Sequence, residues 1–198
     1  SKIDFDCQLR QGETKKFARF LFGDVFTNID KLSEVFDNSG IEKRNFCVPL
    51  DYFQSNKSFT EKNTLFRETA LNYAITSIKN NLSVAGISFS DITDIIYINT
   101  TGLSTPSLDA LIINSLKLNP NINRYPIWGL GCAGGVSGIA KANTITKGNP
   151  DAVVLIIGVE LCSLTFRRND LSKSNFVATS LFSDGIASVI ILGSNASK

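Results

Sequence analysis

The sequence predicts an α/β fold with a largely buried sheet, and three observations predict it. From Asp94 to the end, segments of strand and helix character alternate. Two of the strand segments, Ile95–Ile98 and Ala152–Val159, are nearly continuous in apolar residues, as strands covered on both faces are. The composition is that of a globular protein: 43% hydrophobic and 19% charged over 198 residues, enough to build a core without staples. No repeat, low-complexity tract or linker divides the chain, so a single α/β domain over 1–198 is expected.

The elements follow in order. The first eleven residues are polar and irregular. From Gly12 to Phe26, Phe17, Phe20, Leu21 and Val25 recur at helical spacing. A second short helix over 29–36 ends at Asn38-Ser39-Gly40, where Asn and Gly tolerate a left-handed cap. Residues 41–58 read as loop with an extended piece. Thr60 suits the N-cap of a long helix to about Lys79, with Phe66, Ala70, Tyr73, Ala74 and Ile78 as its buried stripe. Asp94–Asn99 is the first strong strand. After the loop Thr100–Ser104, Thr105 caps and Pro106 opens a helix that buries Leu108, Leu111, Ile112 and Leu116. Pro126–Leu130 reads as a strand, and the glycine-rich stretch Gly131–Gly138 turns into a helix ending near Lys147-Gly148. A strand over Ala152–Glu160, a helix over Ser174–Phe182 and a strand over Ile186–Leu192 complete the series.

Twenty Lys and Arg against eighteen Asp and Glu leave a net charge of +2, which gives no electrostatic footprint for nucleic acid or an anionic membrane. With no His, these residues hold no imidazole base, no His metal site and no Ser-His-Asp or Cys-His pair; no metal is expected. Cys7, Cys47, Cys132 and Cys162 are scattered without CxxC spacing. No signal-peptide pattern is seen and no apolar run is long enough to span a membrane, so a cytoplasmic protein with reduced thiols is expected.

Cys132 lies where a strand turns sharply into a helix, within Gly131-Cys132-Ala133-Gly134-Gly135-Val136-Ser137-Gly138. Free N–H groups and the positive dipole end at such a turn favour a thiolate. Two readings stand: a nucleophile that carries an acyl group as a thioester, or a small packed Cys in a tight strand–helix contact. A phosphate cradle is disfavoured, because no Lys follows the glycines in P-loop spacing.

Three segments occur in a telling order and spacing: Gly131-Cys132-Ala133-Gly134-Gly135, Val159 through Arg167, and Leu181-Phe182-Ser183-Asp184-Gly185. With Thr100-Thr101-Gly102 through Pro106, and Gly40-Ile41-Glu42-Lys43-Arg44, they make the chain resemble the type III polyketide synthases. These form the chalcone synthase-like family of thiolase-fold condensing enzymes. The resemblance runs from about Gln11 to Gly193. It implies a thiolase-like half-domain with a mixed, mostly parallel sheet, equivalent to the family's N-terminal half, the C-terminal half being absent. It also implies an acyltransferase that uses acyl-CoA and malonyl-CoA as substrates, binds no cofactor and works as a homodimer. A starter acyl group would move to Cys132, and decarboxylated malonyl units would extend it to a pyrone or resorcinol type of polyketide.

The same resemblance implies roles. Cys132 would be the nucleophile and Phe182 the gatekeeper aromatic. Glu160, Cys162 and Thr165 would line the cavity with Thr100 and Thr101, and Thr105 would reach towards the partner subunit. Lys31 matches one basic position that grips CoA phosphates, Glu34 and Asn38 replace others, and Lys43 and Arg44 are further candidates. The Glu160-Leu161-Cys162-Ser163 form is closer to microbial members, and a small Cys162 would open a tunnel for a fatty acyl starter. The family's catalytic His and Asn lie in its second half, so these 198 residues alone are expected to be inactive.

Other readings remain open at this level. Phe182 and Cys162 would also suit a core, Glu160 would also satisfy backbone donors or pair with Arg167 or Arg168, and Thr100 and Thr101 would also suit a turn. Asp184-Gly185 reads as a structural turn. On function, a ketoacyl-ACP synthase III-like or hydroxymethylglutaryl-CoA synthase-like single condensation is the neighbouring alternative. A non-catalytic acyl-binding or dimerisation half-fold is the alternative of another class.

Overall fold

The computed structural model describes residues 3–5 and 7–196. Along the chain run β1 (Cys7–Arg10), α1 (Gln11–Phe22), α2 (Ile29–Leu32), α3 (Glu34–Asn38), β2 (Lys43–Phe46), α4 (Phe59–Ala85), β3 (Asp94–Asn99), α5 (Leu108–Leu116), β4 (Asn123–Trp128), α6 (Gly134–Gly148), β5 (Val153–Glu160), α7 (Lys173–Leu181) and β6 (Gly185–Leu192). Contacts gather the chain into two compact units. A sheet unit comprises Asn63–Glu160 and the strand from Gly185 onward, and an aromatic unit comprises Asp4–Lys62 and Leu161–Asp184.

The sheet unit carries four strands in the order β4-β3-β5-β6. β4, β3 and β5 are parallel, and β6 runs antiparallel to β5 from Val153↔Leu192 to Glu160↔Gly185. The sheet is mixed and mostly parallel, as the resemblance implies. β3 is buried at every position, which its apolar run requires. Ile96, Ile98, Val154 and Ile156 form one face with Ala142 of α6. Side-chain alternation turns Ile95, Leu155 and Ile157 to the other face, where α5 packs on β3. Ser77 of α4 bonds Ser188 of β6 at 2.8 Å.

α6 lies close on the sheet because its buried stripe is nearly bare. Gly134, Gly138 and Ala142 recur at one-turn intervals. A Cβ on Gly134 would stand 2.5 Å from Ile98, and one on Gly138 would stand 2.6 Å from the same side chain. These two glycines therefore serve packing.

Several element ends depart from expectation. β4 begins at Asn123 and ends at Trp128, upstream of the predicted strand, and it is not buried. It pairs with β3 alone, so its alternation is that of an edge strand, with Trp128 61% exposed. α4 is capped by Ser58 rather than Thr60: the Ser58 N–H donates to Glu61 at 2.8 Å and the Glu61 N–H donates to Ser58 Oγ at 3.2 Å. That helix also continues to Ala85. α5 starts after Ser107, with the cis Thr105–Pro106 bond in the preceding bend, so Thr105 is not its cap.

The aromatic unit opens with a ribbon the sequence did not suggest, β1 paired antiparallel with β2 from Cys7↔Phe46 to Arg10↔Lys43. Its core joins Ala18 and Phe22 of α1, Phe36 of α3 and Phe176 of α7. Phe22 and Phe36 meet Phe176 nearly edge-on, at 5.4 and 5.7 Å between ring centres. Buried Gln11 donates to the Ser180 carbonyl at 2.8 Å, joining the start of α1 to the end of α7. Asp184 accepts the Cys47 N–H at 2.7 Å, the Ser163 N–H at 2.7 Å and the Ser163 hydroxyl at 2.6 Å. Burial raises the Asp184 pKa, while these donors pull the other way. Among the described residues no helix is long and apolar enough to cross a membrane.

Candidate active site

Cys132 is exposed, on a single 3-10 turn (Gly131–Ala133) between β4 and α6. Gly129 and Gly131 stand in the left-handed region, with φ of +82° and +51°, which only glycine adopts cheaply at a reversal this sharp. The turn is tied to its neighbours by a relay of hydrogen bonds. The Gly131 N–H donates to Thr100 Oγ1 at 3.0 Å, and the Thr100 N–H donates to Glu160 Oε2 at 3.1 Å. Glu160 Oε1 is buried without a partner in the structure. The ends of β3 and β5 and the turn after β4 thus meet at the carboxyl edge of the parallel strands, where α/β sheets place their sites.

Asn99, which the sequence reading overlooked, shapes the loop beside that turn. Its amide donates to the Gly102 carbonyl at 2.6 Å, and its oxygen accepts the Thr101 N–H at 3.0 Å. Gly102 is pressed on Phe66, since a Cβ there would fall 2.1 Å from the ring. The indole N–H of Trp128 also donates to the Gly102 carbonyl, at 3.3 Å. A polar residue ending an otherwise apolar strand was the available signal for Asn99. Nothing local marked the pair of buried Asp109 with Arg124, bonded at 2.7 Å, and Asp184, read from the sequence as a turn residue, is the buried acceptor of a three-bond clip. Burial opposes the Asp109 charge, but bonds from Arg124 and Ser107 prevail and lower its pKa.

The remaining predicted residues divide. Thr105 is exposed in the bend before α5. In the aromatic unit, Cys162, Thr165, Phe182 and Arg44 line one cavity of about 260 Å³. Phe182 is 53% exposed, and the Thr165 hydroxyl donates to the Cys162 carbonyl at 2.8 Å. Lys31 and Lys43 are exposed, whereas Arg44 is buried, because alternation along β2 turns Lys43 outward and Arg44 inward.

The family model for the N-terminal domain of chalcone and stilbene synthases matches residues 24–196. The chain belongs to this family. A protein of Bacillus subtilis (strain 168) named "Putative chalcone synthase" is 40% identical over 195 residues, 96% of this chain and 53% of its own length. The 1,3,6,8-tetrahydroxynaphthalene synthase of Streptomyces peucetius subsp. caesius is 32% identical over 84% of this chain and 44% of its own length. In structure, the 1,3,6,8-tetrahydroxynaphthalene synthase of Streptomyces coelicolor A3(2), a bacterial type III polyketide synthase, superposes with a TM-score of 0.91. It is 28% identical and covers 96% of this chain and 54% of its own. The chain thus spans about half the length of these chalcone and stilbene synthase relatives. The Cys132 turn, Phe182 and the Asp184 clip all fall within the region matched to the family.

Proposed function

We propose that the protein bearing this chain is a polyketide-forming acyltransferase. The observation that carries this reading is the exposed Cys132 on a glycine-built turn, within the segment matched to the chalcone and stilbene synthase family. Cys132 Sγ attacks the carbonyl of an acyl-CoA starter, a thioester forms, and CoA leaves as its thiol. Malonyl-CoA then loses carbon dioxide, and its carbanion attacks the thioester carbonyl. A carbon–carbon bond forms, the bond to Sγ breaks, and the Cys132 thiolate returns.

Thr100 and Glu160 hold the turn and act as positioning residues, while Phe182, Cys162 and Thr165 contact the acyl chain. Lys31 and Lys43, both exposed, take the CoA phosphates. Thr105 extends towards a second copy in a homodimer. The 198 residues contain no His, so turnover is assigned to the whole protein and acyl loading to this chain. Named relatives that make 1,3,6,8-tetrahydroxynaphthalene and phloroglucinol support repeated extension over a single condensation.

Intact-mass measurement after incubation with an acyl-CoA tests the reading. The protein should gain one acyl group, and Cys132→Ala should not. Malonyl-CoA should then yield products with several extensions. Loading that survives Cys132→Ala overturns the assignment, and products of one condensation return the neighbouring reading.

A further inference from the structure

Phe182 lines the cavity of the aromatic unit, yet its side chain is more than half exposed, so packing alone does not hold the ring in place. Its backbone is held instead. The Phe182 N–H donates to the Ala178 carbonyl at 3.1 Å and closes α7. Past it the chain turns extended and is bonded to β2. The Asp184 N–H donates to the Asn45 carbonyl at 2.9 Å, and the Asn45 N–H donates to Ser183 Oγ at 2.9 Å. The Phe182 carbonyl, which a helix end leaves without a partner inside the helix, accepts from Arg44 Nη1 at 2.9 Å.

Arg44 is 3% exposed, and its guanidinium stands 5.5 Å from the centre of the Phe46 ring. Its Nε and Nη2 are buried without a partner, so what this cation grips is the backbone of Phe182. Burial lowers the Arg44 pKa to about 10, and the side chain is still charged at neutral pH. Its bond to the carbonyl is therefore charge-assisted, roughly twice as strong as a neutral one. A cation there also meets the negative end of the α7 dipole. Burying a charge to answer one carbonyl is costly, and a neutral donor would satisfy that carbonyl at lower cost. What the charged, planar, ring-backed arm adds is a stiff hold on Phe182. We propose that Arg44, seconded by Ser183, is a positioning residue for acyl-chain selection: through the Phe182 backbone it sets how far the Phe182 ring stands into the cavity, and so which acyl chains fit past it. The inference rests on the proposed acyl transfer, in which Phe182 contacts the chain, and adds a residue that acts through another.

Intact-mass kinetics of Cys132 loading on the full-length protein, with decanoyl-CoA and acetyl-CoA in turn, read the selection as the ratio of the two rates. Arg44→Met keeps the length of the arm and removes its charge and its donors. It should change that ratio by at least about tenfold, the discrimination that about one methylene carries in an apolar pocket, with the change on the decanoyl arm. A general loss of structure would slow both substrates alike, and circular dichroism checks the fold. Ser183→Ala, at a residue outside the cavity lining, should move the ratio the same way by a smaller factor. Phe182→Ala removes the ring, so adding Arg44→Met to it should change nothing further. A wild-type ratio in Arg44→Met, or in Ser183→Ala where Arg44→Met does not fold, overturns the proposal, as does an Arg44→Met effect that persists on top of Phe182→Ala. In each of these cases the wild type still loads Cys132. A wild type that loads neither substrate overturns the acyl-transfer reading, and this proposal with it.

Discussion

Cys132 stands exposed on a one-turn bend of the sheet unit, whereas Cys47 is buried in the aromatic unit, its N–H donated to Asp184 and its Sγ 3.3 Å from Ser163 Oγ. Burial, and then the nearby Asp184 charge, push the Cys47 thiol far above its ordinary pKa. Exposure leaves Cys132 open to reagents and substrates, while Cys47 is inert and serves packing. The two cysteines show that the residue type carries no function until its surroundings are fixed.

The largest effect should come from Cys132→Ala, which abolishes acyl loading, whereas Cys47→Ala retains it; intact mass distinguishes them. Next, iodoacetamide on the native protein should label Cys132 about a hundredfold or more faster than Cys47, whose labelling should follow unfolding. Peptide mapping over time reads both rates, and equal rates would erase the contrast. Asp184→Ala leaves two buried N–H groups and a hydroxyl without their acceptor, and should cost about 3–5 kcal/mol in chemical denaturation.

The pH dependence of Asp184 has a definite sign. Its raised folded-state pKa means that the folded protein holds more protons than the unfolded chain between the ordinary carboxylate value and the raised one. Stability from this group is therefore highest below that window and declines as pH rises through it. Asp184→Asn should remove that slope. Gly138→Val should cost about 1–3 kcal/mol by overpacking against Ile98 and Ile156. The smallest effect is expected of Thr100→Val, which deletes the acceptor of the Gly131 N–H, at about 1 kcal/mol. Its sharper readout is slower acyl loading with the fold retained.

The same contrast explains what was legible in the sequence. β3 and β5 announce themselves because both faces are buried along most of their length, and so their central residues form nearly continuous apolar runs. The Cys132 turn is legible because a sharp reversal needs glycine. β1 was missed because four residues with alternating exposure, paired only to another short strand, carry almost no periodic signal. The cap of α4 moved from Thr60 to Ser58 because Glu61 completes a reciprocal pair with Ser58. The inward turn of Arg44 was hidden because a Lys-Arg pair reads as solvent-facing until the strand beneath it assigns each residue a side.

Gly134, Gly138 and Ala142 act on the chemistry by what they omit. The bare backbone on this face of α6 meets the Ile98 side chain directly, and that contact sets a stop on how near the helix lies to the sheet. The height at which the sulfur of Cys132 is presented follows from that stop. Val136 and Ile139 are exposed on the same helix, away from that contact. A single methyl added to the buried stripe of α6 should shift the thiol relative to everything it must meet.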